Sequence, residues 1–199
     1  MKRFLVLVLA TACPLLINGY EKPRVTIITS LFNGDEFIQG FMEDIVRQSI
    51  FSSCELILIN ANSPGNEEPI IRNYMARYPN IIYLKLSQDP GIYAVWNIAI
   101  SIASADLITN ANLDDRRNPQ SLEIQANALD QDHTVDLVYG DYLITYNPNE
   151  TFEHNSYSYF VQAPDFEPRK MHWCLGGPQP MWRKSLHSNY ARMFHWDYR

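Results

Sequence analysis

Apolar positions along the chain switch repeatedly between a period of two and a period near 3.6. Residues 25–30 (VTIITS) form a β-branched run that ends at the turn-prone Asn33-Gly34-Asp35, which predicts a first strand. Over 36–49 the apolar residues Phe37, Phe41, Ile45 and Val46 recur at helical spacing. Residues 55–61 (ELILINA) predict a second strand, closed by Asn62-Ser63-Pro64-Gly65. A helix follows over 67–78, with Ile70, Ile71, Tyr74 and Met75 on one side and Pro79 stopping it. Further strands are predicted at 81–86, 106–111 and 136–142. Between them lie a helix that starts at Asp89-Pro90-Gly91 and runs through Ala94, Ile98 and Ile102, and another around 122–129.

Strand and helix alternating at this spacing predict an α/β fold, a mostly parallel sheet with helices on both faces and right-handed crossovers. Ligands of such sheets bind beyond the carboxyl ends of the strands. Polar residues gather there: Ser30 and Asn33 after the first strand, Asn60 and Asn62 after the second, and Asn112, Asp114 and Asp115 after the fourth.

Ahead of the alternation, Lys2 and Arg3 precede an apolar run over 4–17 that is interrupted by Thr11 and Pro14. The run is shorter than the ~20 residues of a relaxed membrane span. A charged start, a short apolar stretch and small residues at Ala10 and Ala12 read as a secretory signal or short membrane anchor over 1–19. A buried terminal strand or helix is the alternative. Membrane association or a secretory route follows from the first reading, and a cytoplasmic location if the segment is not processed. Charges flank the run on both sides and give no orientation.

Composition narrows the partners. Hydrophobic residues make up 46% and charged residues 19%, which supports a packed core. The net charge of −6 argues against nucleic acid as a partner, whose phosphates call for a basic face. Cys13, Cys54 and Cys174 stand too far apart for a zinc site or a disulfide framework and read as small buried hydrophobes. The histidines show no ligand spacing, and the sequon Asn149-Glu150-Thr151 carries no weight by itself.

Asn112-Leu113-Asp114-Asp115-Arg116-Arg117 is the sharpest local feature. Adjacent carboxylates on a tight turn repel unless a cation lies beside them. Mg²⁺ or Mn²⁺ takes oxygen ligands, often one or two carboxylates completed by substrate phosphates and water. The arginines either pair with phosphate or neutralise the acids.

The chain resembles the family 2 glycosyltransferases, nucleotide-sugar-dependent enzymes of the GT-A fold. The stretch from Val25 to Asn33 is similar to the family's first strand and loop, and 55–63 to its second strand. Asp89-Pro90-Gly91-Ile92-Tyr93-Ala94-Val95-Trp96-Asn97 resembles the helix before the metal motif, and Asn112-Leu113-Asp114-Asp115 stands where the family carries its D-x-D signature. The resemblance implies that Ser30, Phe32 and Asn33 lie by the nucleotide base with Asn60 and Asn62 nearby. It also implies that Gly91 and Asn97 brace the sugar-nucleotide pocket, and that Asn112 approaches the ribose or metal. Asp114, supported by Asp115, would ligate a divalent metal, Mn or Mg. The implied reaction transfers a sugar with inversion from a nucleotide-sugar donor, a UDP-sugar first, to a hydroxyl on a glycan or lipid-linked acceptor in surface glycan assembly.

The resemblance divides the chain into a leader or anchor (1–19), a nucleotide-sugar-binding half (20–142) and an acceptor-binding half (143–199). It also has departures. Asn60 and Asn62 replace acids common in the family, and the D-x-D position begins with Asn112. Leu175-Gly176-Gly177-Pro178-Gln179-Pro180-Met181-Trp182-Arg183 resembles the segment before the family's acidic base, after which few residues remain. The second half is therefore expected to be incomplete. Asp197 is the expected catalytic base, with Asp141 and Asp165 as substitutes. A nucleotide-sugar-binding relative without turnover is the alternative function. A nucleotidyltransferase is disfavoured, because Ser30-Leu31-Phe32-Asn33-Gly34 lacks a Gly-rich basic loop. Tyr157, Tyr159, Phe160, Trp173 and Trp182 either stack on an acceptor sugar or pack over the sheet edge, the second being favoured.

Overall fold

The computed structural model describes residues 21–157, 159–167 and 177–189. Its main sheet has six strands in the order β3-β2-β1-β4-β8-β5. These are β1 (Val25–Leu31), β2 (Cys54–Asn60), β3 (Ile81–Lys85), β4 (Leu107–Asn110), β5 (Leu137–Val138) and β8 (Met181–Arg183). Pairs β1–β2, β2–β3 and β1–β4 are parallel, whereas β8 runs antiparallel to both β4 and β5. A separate antiparallel pair joins β6 (Tyr142–Ile144) to β7 (Tyr159–Val161).

The alternation of side chains along β1 and β2 builds the layers. Val25, Ile27 and Leu31 with Leu56 and Leu58 face one side. There they pack against α1 (Ile38–Val46), α2 (Glu68–Met75) and α4 (Ser121–Gln131) through Phe41, Met42, Ile45, Ile71, Tyr74, Leu122 and Leu129. Ile28, Ile57, Ile59 and Ile108 face the other side, against Val95, Ala99 and Ile100 of α3 (Ile92–Ile102) and against Trp182. Every residue of β2 is buried, as expected of a strand covered on both faces. Across the amino end of the sheet, Thr26 Oγ1 donates to Glu55 Oε1 (2.5 Å) and Ser104 Oγ to Glu55 Oε2 (2.8 Å), so the one carboxylate buried there is satisfied.

The α/β class and the mostly parallel sheet match the pattern of the sequence. The expected strand over 136–142 is instead two short pieces in different sheets, β5 and β6. Gly140 interrupts the run, and Asp141 accepts the Ala163 amide (2.8 Å), turning the chain towards the β6–β7 pair. The helix expected over 36–49 shortens to Ile38–Val46 and is followed by a 3-10 turn at Phe51–Ser53. Strand β8 and the short α5 (Ser185–Asn189) were not expected. Trp182 is buried in the sheet, while Tyr157, Tyr159 and Phe160 are exposed, so these aromatics are not one cluster. Among the described residues, no helix is long and apolar enough to cross a membrane. The leader or anchor expected at 1–19 lies outside the described residues, as do Cys13, Trp173 and Cys174.

Candidate functional site

From β1 the chain steps outward through β2 to β3, then returns to the opposite side of β1 as β4. The loops after β1 and β4 therefore stand side by side at the carboxyl end of the sheet, with Leu113 packed beside Gly34, at the end where such folds take ligands. Register sets the residues at one level: Leu31 pairs with Asn60, and Ile28 with Asn110. Ser30, half-buried, ends the β1 wall, and beyond it Phe32 is 46% exposed. Asn33 follows in the left-handed region (φ 52°) with its side chain exposed.

The β2 loop is tied to the β1 loop by short polar contacts. Asn60 is buried; its Oδ1 accepts the Ser63 amide (2.7 Å) and its Nδ2 donates to Tyr83 Oη (3.0 Å). Asn60 thus shapes the loop, while Asn62 is exposed in the left-handed region (φ 59°). Ser63 Oγ accepts the Asn33 amide (3.0 Å) and donates to Glu67 Oε1 (2.6 Å), which also accepts the Gly34 amide (2.7 Å).

Beside the β1 loop lies the acidic turn. Asp114 is exposed and Asp115 half-buried. Asn112 Nδ2 donates to Asp115 Oδ2 (2.7 Å), and Asn110 Nδ2 donates to the Pro178 carbonyl (2.9 Å) and to Asn112 Oδ1 (3.3 Å). Burial raises the Asp115 pKa and the Asp114 carboxylate adds to that, against the lowering effect of hydrogen bonds from Asn112 and Gln179.

Both arginines are engaged with groups of the protein itself. Arg116 Nη1 donates to the carbonyls of Leu113 and Asp115 (both 2.8 Å), and its Nη2 to Asn149 Oδ1 (2.5 Å). Arg117 is buried; its Nη2 donates to Thr109 Oγ1 (2.7 Å) and the Asn110 carbonyl (2.9 Å), and its Nη1 to Gln125 Oε1 (3.0 Å). Both therefore brace the acidic turn from behind. Asn149, exposed at the surface, donates its side-chain amide to the Glu36 carbonyl (2.9 Å).

Gly91 caps α3 with φ 87°, a conformation that favours glycine, and Asn97 is half-buried one and a half turns further on. Beside Asp114 and Asp115 a cavity of about 400 Å³ opens, walled by Tyr139, Asp141, Tyr142, Asn149, Phe152 and Gln179. Asp165 is exposed and absent from that wall, and Asp197 lies outside the described residues.

The acidic turn fits a hard divalent cation. It offers one open carboxylate and a second oriented by Asn112, the protein share of a Mg²⁺ or Mn²⁺ site that phosphate oxygens and water complete. Among the described residues, no group of three or more His, Cys, Asp or Glu is placed to hold a metal ion. Sequence reasoning did not single out Ser63, Glu67 or Gln179. Their signal is weak, because single polar residues in loops reveal their partners only after folding.

The family model described as Glycosyl transferase family 2 matches residues 26–189. Minor teichoic acid biosynthesis protein GgaB of Bacillus subtilis is 28% identical over 132 residues, 65% of this chain and 14% of that protein. An uncharacterised glycosyltransferase of Methanocaldococcus jannaschii is 26% identical over 136 residues, 67% of this chain and 47% of its own length. The chain thus spans less than half of either relative. Among solved structures, S. aureus TarS 1-349 in complex with UDP-GlcNAc superposes with a TM-score of 0.64 at 17% identity, over 83% of this chain and 47% of that one. The mannosyltransferase PcManGT from Pyrobaculum calidifontis, in complex with GDP-Man and Mn2+, gives 0.61 at 16% identity, over 87% of this chain and 48% of that one. At such identities these structures speak for the fold.

Proposed function

The chain belongs to glycosyl transferase family 2, and from that premise we propose that it transfers a sugar from a nucleotide-sugar donor, a UDP-sugar first, to a hydroxyl acceptor with inversion. The observation that carries this reading is the adjacency of the β1 and β4 loops at the carboxyl end of the sheet, with Phe32 exposed on one and Asp114 on the other. Phe32 offers an aromatic face to the base, with Ser30, Asn33 and Asn62 around it. Asn112 meets the ribose, and Gly91 and Asn97 brace the sugar pocket. Asp114 and Asp115 would hold a divalent ion with the donor's diphosphate; when bound there, it supplies Lewis-acid stabilisation of charge on the departing diphosphate. Two structures of similar fold support the donor class, since one contains UDP-GlcNAc and the other GDP-Man with Mn2+.

The acceptor occupies the cavity beside Asp114, with Tyr139, Tyr142 and Phe152 as its apolar walls. Inversion needs a carboxylate to take the acceptor's proton as the new bond forms. Asp141, on the cavity wall, competes with Asp197 for that role. A missing base typically costs ~10²–10⁴-fold in rate. The Asp141→Asn and Asp197→Asn variants, compared for acceptor-stimulated release of nucleoside diphosphate, decide between them. The teichoic acid role in GgaB's name supports surface glycan assembly as the setting. Calorimetry with UDP-GlcNAc and GDP-Man, each with and without Mn²⁺, tests the donor assignment; absence of binding to either would overturn it.

A further inference from the structure

Glu67, at the entrance to α2, is 1% exposed, an unusual place for a carboxylate. Its Oε1 accepts two hydrogen bonds, from the Gly34 amide (2.7 Å) and from Ser63 Oγ (2.6 Å). Ser63 Oγ in turn accepts the amides of Asn33 (3.0 Å) and Gly65 (3.2 Å). Two consecutive amides of the β1 loop, directly after the exposed Phe32, therefore end on this one carboxylate–hydroxyl pair.

Packing around the pair is equally tight. A methyl group at Gly65 would stand 2.6 Å from Glu67 Oε1. One at Gly34 would stand 2.7 Å from Leu113 Cδ1, a side chain of the acidic turn itself. The β1 and β2 loops thus meet at one buried carboxylate, and Leu113 of the acidic turn packs beside Gly34. Burial favours the neutral acid, but the hydrogen bonds from Ser63 and Gly34 outweigh it and hold the Glu67 pKa below the ordinary carboxylate value.

We propose that Glu67, acting through Ser63, is the positioning residue for the base-binding loop: it fixes the Asn33 and Gly34 amides, so that Phe32 is presented to the nucleobase in one orientation. The inference rests on the nucleotide-sugar reading above. It assigns base selectivity to a group that never touches the donor. Loss of the acceptor pair frees the loop and weakens recognition of the base, while Asp114 and Asp115 still hold the diphosphate with metal.

The test is calorimetry of UDP and GDP binding with Mn²⁺ to the full chain and to Ser63→Ala, Glu67→Ala and Glu67→Gln. Loss of the pair is expected to weaken UDP binding by about tenfold, the scale of a lost charged hydrogen bond. It should narrow the discrimination between UDP and GDP and leave the Mn²⁺ dependence intact. Glu67→Gln keeps an acceptor oxygen and should restore most of the selectivity. A role confined to stability would lower the melting temperature and leave the UDP-to-GDP ratio unmoved, which overturns the inference. Unchanged UDP affinity in Ser63→Ala also overturns it, with the donor assignment still standing. If the unsubstituted chain binds neither nucleotide, both readings fall together. Amide hydrogen exchange provides a check that needs no ligand, and Ser63→Ala carries it if Glu67→Ala does not fold. The Asn33 and Gly65 amides should lose protection in Ser63→Ala; retained protection refutes the geometry.

Discussion

Replacing Arg117 by Met separates a scaffold role from a phosphate-binding one. The guanidinium is buried beneath the acidic turn, where it supplies hydrogen bonds to Thr109 Oγ1, the Asn110 carbonyl and Gln125 Oε1. Its backbone amide adds one to Asp44 Oδ2 (3.0 Å). Asp44 is itself buried; burial raises its pKa, and the charges of Arg116 and Arg117 oppose that. Methionine fills a similar length without a large cavity, so the loss is mostly electrostatic. Removing one member of a buried charged network costs ~3–5 kcal/mol, because its partners stay behind unpaired. For a chain of this size each kcal/mol shifts Tm by roughly 2–4 °C, so a fall of about 6–20 °C is expected. Arg117→Lys should recover only part of it, since an ammonium cannot serve acceptors spread over two forks. Thermal melts give the stability change, and calorimetry with a UDP-sugar and Mn²⁺, well below both midpoints, gives donor affinity. Affinity per folded molecule should change by less than about threefold, under the ~1.4 kcal/mol that a factor of ten represents. An unshifted Tm combined with lost donor binding would refute the reasoning and put the guanidinium on the diphosphate.

Three further outcomes follow from the same contacts. Metal-dependent donor binding should fall as pH drops through the Asp115 pKa, which burial raises from its ordinary value, because the protonated acid is a poor ligand. In stability the sign is opposite, since a group whose folded pKa is raised favours the folded state as pH falls; calorimetry and thermal melts over an acidic pH series read the two effects separately. Gly65→Ala should destabilise the chain by ~1–3 kcal/mol through overpacking against Glu67 and Asp35, measured by urea unfolding. Cys54, buried with its thiol pKa pushed up to about 12, should resist thiol reagents in the folded protein and react on unfolding, as peptide mapping would show.

The central strands were legible in the sequence because β1 and β2 are buried on both faces and must be continuous apolar runs. The alternation with helical stripes was equally plain, and with it the class of fold. Strand β8 was not legible: three residues, Met181–Arg183, follow Pro178 and Pro180, and only pairing with β4 and β5 makes them a strand. For the same reason the break at Gly140 was missed, since Leu137 and Tyr142 read as one run until they join different sheets. In the site, Asp114 and Asp115 were visible as paired charges at a strand end. The inward use of Arg116 and Arg117 was not, because a charge looks the same in sequence whether it meets phosphate or a carbonyl. Nor were the partners of Asn60 legible: its side-chain amide binds Ser63 and Tyr83.

The most direct test of the account is calorimetry of a UDP-sugar with the unsubstituted chain and with Asp114→Asn, each with Mn²⁺ and after chelation. Asp114 is exposed, so its replacement should leave the melting temperature unchanged. The account predicts binding by the unsubstituted chain that chelation weakens at least about tenfold, a factor equal to ~1.4 kcal/mol, and weak binding by Asp114→Asn that metal no longer improves. Equal affinity in all four conditions would contradict the assignment of Asp114 and the metal to the donor's diphosphate.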